Sequence, residues 1–297
     1  MAAAWTVQKF LAVAPGGVLS QALSDGQLKR VAREVLERCD AADGLKDGLV
    51  QDPACRINLQ GLQCPGAGAD CLQPAQTQAL AEVMAGPRNS QGALYFGWPW
   101  DPGIADAGWR AWTPGTATQG APNARHVTLM ADALGYEFVT PPDPSLTTLN
   151  FNFERDPARM QAFHRVYDTA DDVQLQGFRR RHGKLLMLHG MADPIFSAFE
   201  LMDYQKRLNA THSDAASFAR SFLVPGMTHC SGGPATDDFD GLTAIVRWVE
   251  EGQAPDRIEA RGSAALPGVS QPLCPYPKIA RYVGGDEKSA ASFECRP

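Results

Sequence analysis

The sequence of 297 residues has no basic surplus: 27 Lys and Arg stand against 33 Asp and Glu, a net charge of −6. It also lacks any dense basic cluster interleaved with aromatics, which argues against nucleic acid as a partner. No stretch approaches the roughly 18 apolar residues of a spanning helix, so no membrane partner is expected. The opening residues, Met1-Ala2-Ala3-Ala4-Trp5, have neither the positive start nor the sustained apolar run of a signal peptide. Internal repeats and low-complexity tracts are absent, and no Cys-x-x-Cys or His-rich spacing points to zinc. What remains is an ordinary globular balance, 44% hydrophobic and 20% charged, in a chain long enough for one large domain or two modest ones.

Seven cysteines fit poorly with a missing export signal. Six fall into neighbouring sets: Cys39 with Cys55, Cys64 with Cys71, and Cys274 with Cys295. Local disulfides, which need an oxidising compartment, are the favoured reading, with reduced structural thiols as the alternative. Cys230 is left over.

The chain divides near residue 165. Residues 1–165 are rich in Pro, Gly and polar turns, with one clear helix that starts at a Ser24/Gln27 capping box and closes at Cys39-Asp40. A weaker helix covers 72–85. From 92 to 150 the pattern is loop-like, yet Trp98, Trp100, Trp109 and Trp112 fall within it, and so much indole surface must pack or line a pocket. Core packing is the expectation for Trp109 and Trp112. Residues 183–252 instead read strand–loop–helix twice. Leu185–Leu188 suits a strand buried on both faces, and Phe222–Val224 a second strand; Leu242, Ile245, Val246 and Val249 make one stripe on the last helix. This is the pattern of parallel α/β structure, which places its chemistry in the loops after the strands.

Those two loops carry Asp193 and, 36 residues later, His229. A serine hydroxyl is a poor nucleophile until an imidazole takes its proton, and a carboxylate must fix that imidazole's tautomer. Asp193 and His229 fit those roles in the chain order of α/β-hydrolases. The nucleophile does not appear. No Gly-x-Ser-x-Gly elbow precedes Asp193, and Ser231 lies too close to His229 to be aimed at it. His189 is expected to hydrogen-bond within its loop. A separate stretch, Asp40-Ala-Ala-Asp43-Gly-Leu45-Lys-Asp47-Gly-Leu49, spaces three carboxylates with glycines. It reads equally as a polar turn or as a hard-cation loop with Leu45 and Leu49 carbonyls completing the shell.

Pro225-Gly-Met-Thr-His-Cys-Ser-Gly-Gly233, Pro272-Leu-Cys-Pro-Tyr-Pro277 with Ala280-Arg-Tyr282, and His189-Gly-Met-Ala-Asp193 together resemble the tannase and feruloyl esterase family. The resemblance covers essentially the whole chain but only the family's C-terminal half. It implies a partial α/β-hydrolase core at 166–297, bearing Asp193 and His229, and a large loop-rich lid domain at 1–165. The Gly-Cys-Ser-x-Gly-Gly nucleophile elbow would lie before this chain begins. It implies the same three disulfides, and a Cys230 whose partner sits beside that absent serine. It implies a structural Ca²⁺ in the lid, held by Asp40, Asp43, Leu45, Asp47 and Leu49. It also implies that Arg125 grips a substrate carboxylate and that Phe196 stacks on an aromatic ring. Leu129 stands where a terephthalate-cleaving member has phenylalanine, which shifts the expectation towards a broader phenolic or benzoic ester. The resulting expectation is a piece of a secreted or periplasmic aromatic-ester hydrolase, inactive alone and partnered by a missing N-terminal half. The competing expectation is a calcium-stabilised module that binds aromatic acids without cleaving them.

Overall fold

The computed structural model describes residues 1–65, 70–168 and 172–297. Against an expected single break near residue 165, the contacts divide the chain less simply. One compact unit comprises Met1–Glu34, Ile57–Trp98 and Ile104–Thr169; the other comprises Val35–Arg56, Pro99–Gly103 and Ala170–Pro297. Two short segments from the first half, one bearing the carboxylate loop, thus belong to the second unit.

In the first unit the helix Ala2–Leu11 packs on the helix Pro74–Ala85, and the Trp5 indole N–H donates to the Glu82 carbonyl at 2.8 Å. The helix Asp25–Cys39 opens on the expected capping box. The Gln27 amide donates to Ser24 Oγ at 3.1 Å and the Ser24 amide to Gln27 Oε1 at 2.9 Å. Leu134, Val139, Leu146 and Phe151 close over Ala4 in a small core. The stretch expected to be loop-like contains the short helices Ala107–Trp112 and Arg125–Thr128. Trp98, Trp109 and Trp112 are buried. Cys64 and Cys71 are bonded.

The second unit is built on two parallel strands, Leu185–Gly190 and Ala219–Val224, registered from Leu185 opposite Ala219 to Gly190 opposite Val224. Alternate residues face opposite sides. Leu185 and Met187 pack with Leu208, Ala215 and Phe218; Leu186 and Leu188 pack with Phe222, Ile258 and Leu273. The helix Ala198–Thr211 follows the first strand and is capped where Ser197 Oγ accepts from the Phe199 amide. Small antiparallel sheets complete the unit, Ile258–Arg261 with Ser270–Leu273 and Ile279–Tyr282 with Phe293–Arg296. The Cys274–Cys295 and Cys39–Cys55 disulfides both lie within it.

Two further expectations change. Residues 185–189 are half-buried rather than buried on both faces, because among the described residues their strand has a neighbour on one edge only. The apolar stripe of the helix Gly241–Glu250 points outward: Leu242 is 74% and Val249 60% exposed, while Trp248 is 2% exposed. That helix is therefore anchored by its tryptophan, not by its stripe. In urea denaturation, Trp248→Ala is expected to cost about 3–5 kcal/mol. Val249→Ser should stay within about 0.5 kcal/mol of the parent. Equal losses would refute this assignment of faces.

Candidate active site

The strand Leu185–Gly190 delivers the chain into His189-Gly-Met-Ala-Asp193, and the strand Ala219–Val224 delivers it into Pro225–Gly233. Because the strands are parallel and in register, both loops emerge at the same, C-terminal, edge. They are joined by backbone hydrogen bonds, Met191 amide to Val224 carbonyl and Ala192 amide to Met227 carbonyl, each 3.0 Å. Gly190 is required there, since a β-carbon at that position would collide with the Met227 carbonyl oxygen. The loops cannot come this close with any side chain between them.

Asp193 is 4% exposed, and its two oxygens are separately employed. Oδ1 accepts from the Ile195 and Phe196 amides at 2.8 and 3.2 Å; Oδ2 lies 2.9 Å from His229 Nδ1. The backbone amides fix the carboxylate, and the carboxylate fixes the imidazole. His229 sits in a tightly bonded turn. Thr228 Oγ1 donates to the Ser231 carbonyl at 2.7 Å, the Thr228 amide to the Gly232 carbonyl, and the Gly232 amide to Asp237 Oδ2. Cys230 is exposed, unpaired among the described residues, and held at φ 67°. A non-glycine residue in that region is strained, a feature that gathers at functional sites.

Phe196 is 53% exposed, its ring centroid 5.9 Å from that of His229. His189 keeps to its loop, as expected: Nε2 donates to the Phe196 carbonyl at 2.8 Å, and so helps hold the phenylalanine. Ser231 is exposed in the turn, its carbonyl already bonded to Thr228. In the other unit, Arg125 is exposed with its guanidinium 5.4 Å from the Trp112 ring centroid, an aromatic backing that leaves the planar donor edge available to a carboxylate. Leu129 is 54% exposed.

The carboxylates of the loop accept from its own backbone amides. Asp40 Oδ1 accepts from the Asp47 and Gly48 amides, Asp43 Oδ1 from Leu45, and Asp47 Oδ1 from Leu49. Gln271 Nε2 donates to Asp47 Oδ2. Asp43 Oδ2 is buried without a hydrogen-bond partner. Burial, helped by the like charges of Asp47 and Asp40, pushes the Asp43 carboxyl up to about 7; burial also raises Asp40 and Asp47. Among the described residues, no group of three or more His, Cys, Asp or Glu is placed to hold a metal ion.

One residue of this site escaped the sequence reading. Asp101, from the segment Pro99–Gly103, is buried and accepts from the Gly226 amide at 2.9 Å, three residues before His229. Its only signal in the sequence is a Pro-Trp-Asp-Pro-Gly turn, which does not announce a partner 125 residues away. The central geometry is directly testable. A proton on His229 Nδ1, bonded to Asp193, should give a far-downfield ¹H resonance, and Asp193→Ala should abolish it while the amide spectrum stays folded. A resonance that survives the substitution would mean Asp193 is not the partner.

Residues 4–296 match the family described as tannase and feruloyl esterase. Mono(2-hydroxyethyl) terephthalate hydrolase of Piscinibacter sakaiensis is 42% identical over 98% of this chain and 56% of its own length. The probable feruloyl esterase B-1 of Aspergillus oryzae is 28% identical over 97% of this chain and 55% of its own. The crystal structure of feruloyl esterase B from Aspergillus oryzae superposes with a TM-score of 0.80 at 26% identity, covering 99% of this chain and 61% of that one. The chain thus spans little more than half the length of the curated relatives it matches. It belongs to the tannase and feruloyl esterase family.

Proposed function

We propose that this chain carries the acid–base half of a carboxylic ester hydrolase acting on aromatic esters of phenolic, benzoic or terephthalic type, by a Ser-His-Asp mechanism. The observation that carries the reading is the 2.9 Å contact between His229 Nδ1 and Asp193 Oδ2 at the ends of two parallel strands. In this reading His229 Nε2 takes the proton of a serine hydroxyl as it attacks the ester carbonyl. Asp193 stabilises the resulting imidazolium. The same proton goes to the departing alkoxide, leaving an acyl-enzyme, and a second cycle with water releases the acid. The serine is not among these 297 residues, since no elbow motif occurs in them. Phe196, exposed beside the imidazole, has the position and chemistry to stack on the substrate's ring.

The two parallel strands read as the terminal part of a larger sheet. This is supported by the one-sided pairing of Leu185–Gly190 and by the outward apolar stripe of Gly241–Glu250, both of which suit cover by further structure. The carboxylate loop reads as a structural Ca²⁺ site formed by Asp40, Asp43 and Asp47 with the Leu45 and Leu49 carbonyls. The fit rests on the buried, partnerless Asp43 Oδ2 and on three carboxyls that burial raises, with like-charge repulsion adding to the rise of Asp43 and Asp47. A hard cation would add counter-charge to a loop whose three carboxylates face only Lys46 within it.

In the full-length esterase, His229→Ala should lower kcat on a phenolic ester by about 10³-fold or more with KM little changed. The 297-residue chain alone should show no turnover above buffer. Hydrolysis by this chain that Ser231→Ala abolishes would instead put the nucleophile in the histidine loop. For the cation, free Ca²⁺ at a hundred times its Kd should stabilise the chain by about 2.7 kcal/mol over chelator. Asp43→Asn should remove that increment. Superimposable denaturation curves in calcium and chelator would end the calcium reading.

A further inference from the structure

The Pro99–Gly103 segment belongs to the second unit although the residues on either side of it belong to the first. Its central residue, Asp101, is 2% exposed and has no ion-pair partner among the described residues. Its carboxylate spans two backbone amides. Oδ1 accepts from Gly103 at 2.7 Å and Oδ2 from Gly226 at 2.9 Å. Burial pushes this carboxyl up to about 6 even though both amides oppose the shift. A buried carboxylate without a cation is an expensive way to tie down a turn.

The chemistry nevertheless demands that group. Both partners are N–H donors, one on each oxygen, so only a side chain that accepts at both ends satisfies them. Asparagine would set its own N–H₂ against one of the two amides. The location explains what the device holds. Gly226 opens the turn that carries His229. A β-carbon on Gly103 would run into the Ala192 side chain and the Gly226 carbonyl, so the segment is pressed against Asp193's neighbour as well. Asp101 therefore sits where the aspartate loop and the histidine loop meet.

We propose that Asp101 is a positioning residue: by clamping the Gly226 amide against its own turn, it sets the histidine loop at the distance from the aspartate loop that the His229–Asp193 hydrogen bond needs. The inference rests on reading His229 and Asp193 as the acid–base pair. It adds a third acidic residue, from a remote part of the sequence, to the machinery that aligns them.

The test is Asp101→Asn, read first by the downfield Nδ1 proton of His229 in the isotopically labelled 297-residue chain. The resonance should broaden away or move upfield in a variant that is still folded. In the full-length esterase the same substitution should lower kcat on an aromatic ester about 10- to 100-fold, with KM within about twofold. Asp156→Asn, which alters a buried carboxylate of the first unit, should leave both readings at the parent values whatever it costs in melting temperature. A folded Asp101→Asn with an unmoved His229 resonance overturns the proposal. Should that variant not fold, the parent decides. Its Gly226 amide should exchange as slowly as amides of Ala219–Val224, and exchange at open-loop rates overturns the clamp. Undiminished turnover in His229→Ala would instead sink the acid–base reading, while leaving the effect of Asp101 on the resonance intact.

Discussion

Everything at the candidate site follows from the parallel, in-register pairing of Leu185–Gly190 with Ala219–Val224. Parallel strands end together, so the loops that follow them leave from one edge of the sheet. Backbone bonds from Met191 and Ala192 then hold these loops at a separation that only glycine at position 190 permits. An antiparallel pair, or a slip of one residue, would send Asp193 and His229 to different edges or different faces. The side chains contribute little to their own placement: the carboxylate is fixed by two amides of its own loop, and the imidazole by the carboxylate. It is a site built from backbone first.

How much of this could be read in the sequence depended on the range of the interaction. The capping box at Ser24/Gln27 with its helix, the helix expected over 72–85 and the two strand–loop–helix units are local patterns and lie close to their expected positions, whereas the helix Ala2–Leu11 was not expected. The contact between Asp193 and His229 was legible because chain order and strand-end position carry the signal by themselves. The three disulfides matched nearest-neighbour cysteine spacing. Hydrophobic periodicity, however, reports that a face is apolar, not whether anything covers it. Leu242, Val246 and Val249 were rightly seen as one stripe, yet the helix is anchored by Trp248. Asp101 was illegible for a different reason. Its partner is a backbone amide 125 residues away, and amides have no sequence signature.

The second unit also shows how two kinds of acidic group coexist in one fold. Asp193 divides its oxygens between amides and an imidazole. Asp40, Asp43 and Asp47 crowd together in a loop where Asp43 keeps one buried oxygen unmatched. In the first every oxygen has a donor, and in the second one buried oxygen does not. Asp101 lies between these cases, buried and bonded yet without a counter-charge. Asp193 and Asp101 each accept from two backbone amides, so what separates them is the imidazole that takes the remaining oxygen of Asp193.

Cys230 has a practical consequence. Among the described residues it is the one cysteine outside a disulfide, it is exposed, and it adjoins the histidine in sequence. A maleimide fluorophore or nitroxide attached there needs no engineered residue, and it reports from one peptide bond away on whether the imidazole's loop is ordered. Any procedure that leaves that thiol uncapped also leaves two copies free to join through it.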